Sequence, residues 1–478
     1  MRKFIPFVTP LLLCPLVMGA QQTSTSLPDA PRFQAQLHPP SVLAQQPSLT
    51  MQQSMQPPAS PANAQPPAPG DGTLTRQQAE MLALKNNPRI TVAALLALAQ
   101  KQAVRVTRSA EMPTLNGEIT GVDAEEGSRE STGSLNASRL LYHVGAGIEL
   151  DQLITDFGHT RNLVASSNFK AKAFDQQSEA TREEIALTAD VAFYNALEAQ
   201  ATLQVAKSTV KARQDVADQV DALTLSKLKS TLDQSFAQVN LSQAKLLELN
   251  SQNQYDAAMA ELNEVLGTTD DTQYHLIDDI SAPQPVAPTA EGVIALAMQQ
   301  RPDLLALKLT HDADVHFARA ERDQLLPTVS GLGIVGASPI GSSRYFTQNW
   351  YGAAGVNVGI PIFNGFKFHA QASEANLIAK AADEQSRALV DRIVRDVRTA
   401  WLRSVTAQQR VSVTAELLKE ANTALDLADT RYQLGLSSIV ELSQAQLQQT
   451  QAEIENVNAR FQYEADLAAL RFQSGSQP

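Results

Sequence analysis

The folded part of this chain is written twice, and that repetition limits its possible folds more than any other feature. Asn87-Pro88-Arg89-Ile90 and Met112-Pro113-Thr114-Leu115-Asn116-Gly117 return as Arg301-Pro302-Asp303-Leu304 and Leu326-Pro327-Thr328-Val329-Ser330-Gly331, 214 residues later in both cases. Gly145-Ala146 through Gly158 returns as Gly352-Ala353 through Gly365, offset by 207. Leu228, Ser230, Asp233 and Ser235 find Leu436, Ser438, Glu441 and Ser443 at an offset of 208. A period of about 210 is too long for a solenoid and describes a duplicated domain-sized unit. The small drift in offset is what loop insertions produce. The expected boundaries are residues 73–288 and 289–474, with a tail at 475–478.

What precedes the repeats is different material. Met1-Arg2-Lys3 is basic, Phe4 to Met18 is apolar but broken by prolines, and Met18-Gly19-Ala20 offers a small-residue cleavage site. Residues 1–20 therefore read as a secretory signal peptide. The lone Cys14, between Leu13 and Pro15, is a poor lipidation site. Residues 21–72 hold eleven of the 24 prolines among Gln, Ser and Ala. Such a segment buries too little apolar surface to offset its ordering entropy, so a disordered tether is expected.

Composition narrows the function classes. A net charge of −12 argues against nucleic acid as a partner, because phosphate contacts need clustered Lys and Arg. One cysteine excludes an internal disulfide framework and a Cys-based zinc site. No 18-residue apolar run follows the N-terminus, so no transmembrane helix is available to the mature chain.

The hydrophobic period changes in the same order in each unit. Leu74 to Arg108 repeats apolar residues at three and four, as a helix does. Leu140 to Leu150 alternates, with Val144, Ala146, Ile148 and Leu150 on one face and Glu149 and Asp151 on the other. Val329 to Gly336 and Tyr351 to Ile362 repeat that theme, and with polar loops at Gly121 to Ser138 and Ser338 to Asn349 each unit is read as about two strands, four per chain. Beyond Gly158 and Gly365 come long proline-free helical stretches, Asn162 to about Ser226 and Lys367 to about Leu434. Each is broken near Lys227 or Gly435 and followed by a further helix, to about Leu266 and Phe472. Helices on the order of 95 Å long cannot be ordinary globular helices and read as coiled-coil hairpins.

Strands of about ten residues with one apolar face match membrane-spanning β-strands. Four cannot close a barrel, and open edges are not tolerated in lipid. Closure would require several chains sharing one barrel. The alternative is a small soluble sheet beneath a periplasmic coiled coil.

In the order in which they occur, these motifs resemble the TolC-like outer membrane efflux proteins. The resemblance spans Leu74 to Phe472 and rests on Asn87-Pro88, Arg301-Pro302-Asp303, Leu326-Pro327-Thr328 and Asp156-Phe157-Gly158. It rests too on Ile360-Pro361-Ile362-Phe363-Asn364-Gly365 and on Arg431-Tyr432-Gln433-Leu434-Gly435 through Glu441. It implies an α+β membrane protein: a homotrimer sharing a twelve-stranded β-barrel, with long helical hairpins forming a periplasmic α-barrel. It implies location in the outer membrane against lipid, with a periplasmic adaptor and an inner-membrane pump as partners. It also implies a constriction at the hairpin tips, with Asp233, Glu441 and Tyr432 as gate residues. Lys227 stands where the first tip would carry glycine, Gly435 keeps it in the second, and Ser437 and Gln444 depart from the family pattern. The alternative for Asp233 and Glu441 is a first-turn acid favoured by the helix dipole.

The remaining expectations are structural. Gly158 and Gly365 mark strand-to-helix turns, and Pro113 and Pro327 helix-to-strand turns. Tyr142, Trp350 and Tyr351 are candidate membrane-interface aromatics, with core packing as the alternative. Gly331-Leu332-Gly333-Ile334-Val335-Gly336 matches a dinucleotide fingerprint literally but lies inside an alternating strand with no helix after it. His311 and His316 are five apart, wrong for two ligands on one helical face. No cofactor, metal or catalytic constellation is expected. The expected function is a passive, gated conduit for export; a periplasmic adaptor or scaffold without a pore is the alternative, and a nonspecific porin a third reading.

Overall fold

The computed structural model describes residues 72–123, 142–268, 274–278, 285–337 and 350–475. The expected signal peptide and, but for Gly72, the expected tether lie outside the described residues, as do residues 124–141 and 338–349. The first unit runs β1 (Thr73–Leu74), α1 (Arg76–Asn86), α2 (Pro88–Ser109), β2 (Thr114–Asp123), β3 (Tyr142–Thr155), α3 (His159–Leu225) and α4 (Thr231–Leu266). After β4 (His275–Leu276) the second unit repeats it: α5 (Ala290–Gln300), α6 (Pro302–Asp323), β5 (Thr328–Ala337), β6 (Trp350–Gly359), α7 (Lys367–Gln433) and α8 (Ile439–Ser474).

The single helix expected over Leu74 to Arg108 is two helices. Pro88 has no N–H and drives the preceding residue out of the helical region, so Asn87 sits at φ −67°, ψ 121°. The Asn87 side chain then accepts from Arg89 N at 3.0 Å and caps α2. Arg301 before Pro302 takes the same backbone geometry.

Other boundaries differ from expectation. The strand expected to close at Leu150 runs on to Thr155, because β5 continues the ladder through Gln152, Leu153 and Thr155. The last strand stops at Gly359, not Ile362, because Pro361 can donate nothing to a ladder. The first long helix starts at His159, not Asn162: the Asp156 carboxylate accepts from Thr160 N at 2.7 Å and Gly158 N at 3.2 Å, which gathers the first turn early.

Both long helices have 67 residues, on the order of 100 Å. Within the hairpins α3 lies against α4 and α7 against α8, while α6 bridges α3 and α7. Ala occupies most of the buried apolar positions on the helices, which lets the axes approach closely. One core gathers Leu74, Ile185, Phe193, Leu262, Leu266, Leu276 and Phe461 from both units. The short parallel pairing of β1 with β4 lays Leu74 beside Leu276 there and ties the start of the first unit to the inter-unit connection.

The four long strands form one sheet in the order β2-β3-β5-β6, with antiparallel neighbours throughout.

Candidate functional site

The ladder register fixes which residues share each face of the sheet. Leu115, Ile148, Val335 and Gly352 stand on the same face, as do Leu150, Gly333, Ala354 and Val356. That face also carries Ile119, Val358 and Trp350, and by register its polar positions include Gln152 and Asp123, near opposite ends of the strands. Its large side chains are exposed, Ile119 at 84% and Val356 at 66%. The opposite face presents Thr114, Asn116, Glu118, Glu149, Asp151, Ser330 and Asn357, interrupted by Leu332 and Ile334. The alternation seen in the sequence is therefore a two-faced sheet. Among the described residues β2 and β6 each pair on one side only.

The three candidate interface aromatics separate. Tyr142 opens β3 on the apolar face by register, and its side chain lies outside the described ones. Trp350 is on the apolar face and 63% exposed. Tyr351 is on the polar face, where its ring lies across two glycines. A Cβ on Gly336 would fall 2.6 Å from Tyr351 Oη and one on Gly147 3.1 Å from it. Glycine at both places lets an aromatic cover the backbone of neighbouring strands.

The turns at the junction of sheet and helices use left-handed backbone in pairs. Phe157 and Gly158 have φ +55° and +119°, and Gly365 and Phe366 have φ +65° and +64°. At the same end of each strand pair, where the antiparallel ladder sets the start of one strand beside the close of the other, Pro113 and Pro327 stand immediately before β2 and β5.

The far ends of the hairpins carry the remaining candidates. Both first helices end in the same double-bonded cap, Leu228 N to Leu223 O at 2.9 Å and Leu436 N to Arg431 O at 2.8 Å. The cap requires a left-handed residue, and the second hairpin supplies Gly435 at φ +75°. The first holds Lys227 at φ +64°, a conformation that costs an L-residue about 1 kcal/mol or more. Lys227→Gly is therefore expected to slow amide exchange around residues 226–228, and Gly435→Ala to speed it around 434–436. Unchanged exchange in both would mean the turns relax freely.

Asp233 and Glu441 match in sequence but differ in contacts. Asp233 completes a capping box, its Oδ2 accepting from Ser230 N at 3.2 Å and from Ser230 Oγ at 2.9 Å. Glu441 N donates to Ser438 Oγ, while its carboxylate pairs with Arg431 Nε at 3.2 Å across the turn. Both are first-turn acids, as the dipole argument allows.

Tyr432 is the buried member of the group, 4% exposed. It lies with Ala217, Val220, Ala237 and Leu241 of the first hairpin and Ile439 and Leu442 of the second. Burial, and secondly the charge of Asp233, push its phenol above the ordinary range. Sequence reasoning missed Lys229, whose Nζ stands 4.1 Å from the Tyr432 ring centroid. It also missed Arg431 as the partner of Glu441. No local pattern marks either residue, because each contact crosses a turn or a seam between hairpins.

Among the described residues no helix is long and apolar enough to cross a membrane, and no cluster of His, Cys, Asp and Glu could hold a metal. The first finding says nothing against a membrane-spanning sheet.

Comparison with known proteins gives a consistent result. The model of the family described as outer membrane efflux protein matches residues 81–268 and 293–476, one segment per repeat. The chain is 25% identical to outer membrane protein OprJ of Pseudomonas aeruginosa over 400 residues, covering 81% of each chain. It is 23% identical to outer membrane protein TolC of Escherichia coli, covering 79% of this chain and 77% of that one. The fold is similar to the solved structure of CusC, with a TM-score of 0.73 at 18% identity over 84% of this chain and 92% of that one. It is similar also to outer membrane protein VceC of Vibrio cholerae, with a TM-score of 0.71 at 17% identity over 84% and 96%. With its motifs, duplicated fold and family match all in agreement, the chain belongs to the outer membrane efflux protein family.

Proposed function

We propose that three copies of this chain close into one barrel and form a gated conduit through the outer membrane, passively exporting what an inner-membrane pump delivers through a periplasmic adaptor. Membership of the family assigns the chain to the outer membrane as part of an efflux conduit; the trimer, the gate and the partners are this proposal. The observation that carries it is the open four-stranded sheet with one exposed apolar face and two half-paired edges. An isolated sheet of this kind is unstable in lipid and aggregation-prone in water, and joining β6 of one copy to β2 of the next removes every edge. The helices offer the same logic. Leu95 and Leu98 on α2, Leu246 and Leu249 on α4, and Leu402 and Val413 on α7 are exposed. Those helices flank the layer at opposite sides, so a ring would cover them.

In that ring the apolar sheet face meets lipid, with Trp350 as an interface aromatic, and the polar face lines the lumen. Gly158 and Gly365 carry the strands into the helices. Asp233, Glu441 and Tyr432 lie at the constriction, with the turns at Lys227 and Gly435. No chemistry of bond-making is assigned to the chain; the energy for transport comes from the pump.

Planar-bilayer recording of the purified detergent-solubilised protein tests the reading. Small, mostly closed conductance is expected. Large constitutive conductance would favour an open porin. Solubility without detergent and no conductance under any condition would favour the periplasmic scaffold. The polar face also makes a prediction. The described strands carry Glu118, Glu149 and Asp151 on it and no Lys or Arg anywhere. Replacing the three by Gln, Gln and Asn is expected to lower the cation-to-anion permeability ratio by roughly twofold or more, read from the reversal potential. An unchanged ratio would remove these carboxylates from the lumen.

A further inference from the structure

We propose that Lys229 is the intrachain latch of the tip, holding the second hairpin against the first through the face of the Tyr432 ring. The proposal rests on the gated-conduit reading above, and it assigns the closing contact to a residue that neither the repeat pattern nor the family resemblance points to.

Tyr432 sits on the second hairpin and is buried against Val220, Ala237 and Leu241 of the first. A buried tyrosine ordinarily satisfies its hydroxyl. Here Tyr432 Oη has no hydrogen-bond partner among the described residues. The carboxylate that could have taken it, Asp233, is turned back on Ser230 in its own capping box. The polar end of Tyr432 therefore makes no bond across the seam, and the ring makes the contact instead.

Lys229 supplies the other half. Its Nζ lies 4.1 Å from the ring centroid, well inside the range of an ammonium attracted by an aromatic quadrupole. It makes no ion pair among the described residues that would compete for the charge. The lysine is half-buried, so the cation is partly stripped of water, where such contacts strengthen. Its place two residues beyond the left-handed Lys227 is what aims it. The cap that ends α3 turns the chain over at Lys227, and Lys229 comes off that turn toward α7.

The rest of the tip makes this contact singular. The Arg431–Glu441 pair joins two helices of the same hairpin and cannot hold one hairpin to the other. The hydrogen bond from Asn240 Nδ2 to Ser443 Oγ at 2.7 Å does cross the seam, but between the returning helices above the tip. Lys229 on Tyr432 is thus the charged tie nearest the turns. Losing it leaves α7 held to the first hairpin there by apolar contact alone.

The contact depends on the ring and on the charge, not on the hydroxyl, and that separates it from a hydrogen-bonded tyrosine. Four variants are compared with the wild type in planar bilayers: Lys229→Gln, Lys229→Arg, Tyr432→Phe and Tyr432→Leu. Tip separation is measured in parallel by distances between spin labels at positions 228 and 436, both exposed, in a Cys14→Ser background. Lys229→Gln and Tyr432→Leu should raise mean conductance roughly tenfold and broaden the distance distribution. Lys229→Arg and Tyr432→Phe should stay near wild type in both. If Tyr432→Phe opens as far as Tyr432→Leu while Lys229→Gln stays closed, the hydroxyl carries the contact and the latch is wrong. If distances stay fixed in Lys229→Gln, the latch is wrong whatever the current does. If distances broaden as expected yet no variant conducts, the conduit reading fails and the gating role falls with it.

Discussion

Asp190→Ala is expected to destabilise the protein by about 3 kcal/mol. Asp190 is 4% exposed and lies deep in α3. Arg76 Nη1 reaches its two oxygens at 3.1 and 3.2 Å and Glu80 Oε2 at 3.3 Å. Burial holds the Asp190 carboxyl above its ordinary range even though Arg76 pulls it the other way. Desolvation thus outweighs the attraction, and the pair adds little over a well-packed apolar substitute. Breaking it is another matter. Arg76 would be left mostly buried with only Glu80 opposite, and α1 would lose its polar link to α3. Relief of the Asp190–Glu80 repulsion, which now helps to raise the Glu80 carboxyl, offsets part of the cost. Asp190→Asn keeps an acceptor for the guanidinium and should lose less. Denaturant midpoints in detergent measure both. A loss below about 1 kcal/mol for the alanine variant would mean that water reaches Arg76 readily.

The second large effect concerns the sheet. Ile148→Arg or Val356→Arg is expected to cost about 2–4 kcal/mol per chain if the apolar face meets hydrocarbon, falling toward zero near the interfaces. In a closed trimer that penalty enters three times, so the yield of assembled protein in outer-membrane fractions should collapse. Asn357→Arg, one residue along and on the other face, should assemble normally. The contrast between neighbouring positions is the diagnostic. Equal tolerance of arginine at 356 and 357 would mean that neither face touches lipid, and the soluble-sheet alternative would then regain its footing.

Much of this architecture is legible in the residues because it is local. A proline removes a donor where it stands, so the Asn87-Pro88 and Arg301-Pro302 breaks are marked in the sequence, although a helical period running across them suggests one helix where there are two. Alternation over ten residues identifies a two-faced strand. Its end is harder to read, since Ile360 and Ile362 continue the alternation past Gly359 and only Pro361 denies them a ladder. Helix length follows from the absence of breakers between Gly158 and the tip, and from Gly365 onward.

The candidate site divides in the same way. Its positions at the tips were readable, because the turn, the cap and the first-turn acid recur in both units. Their contacts were not. Asp233 and Glu441 occupy equivalent places, yet one turns to its own cap serine and the other to Arg431. Trp350 and Tyr351 are adjacent in sequence, and the period of two sends them to opposite faces.

By itself, the sequence determined a duplicated unit, two-faced strands, hairpins of unusual length and the family to which they belong. Each of these rests on interactions within a few residues, repeated often enough to leave a periodic trace. The tertiary structure alone decided that Arg76 meets Asp190, 114 residues away, and that Lys229 covers Tyr432. Such pairs form where separate helices approach, and a single charged or aromatic residue on a solvated-looking helix carries no local sign of the partner that packing brings to it.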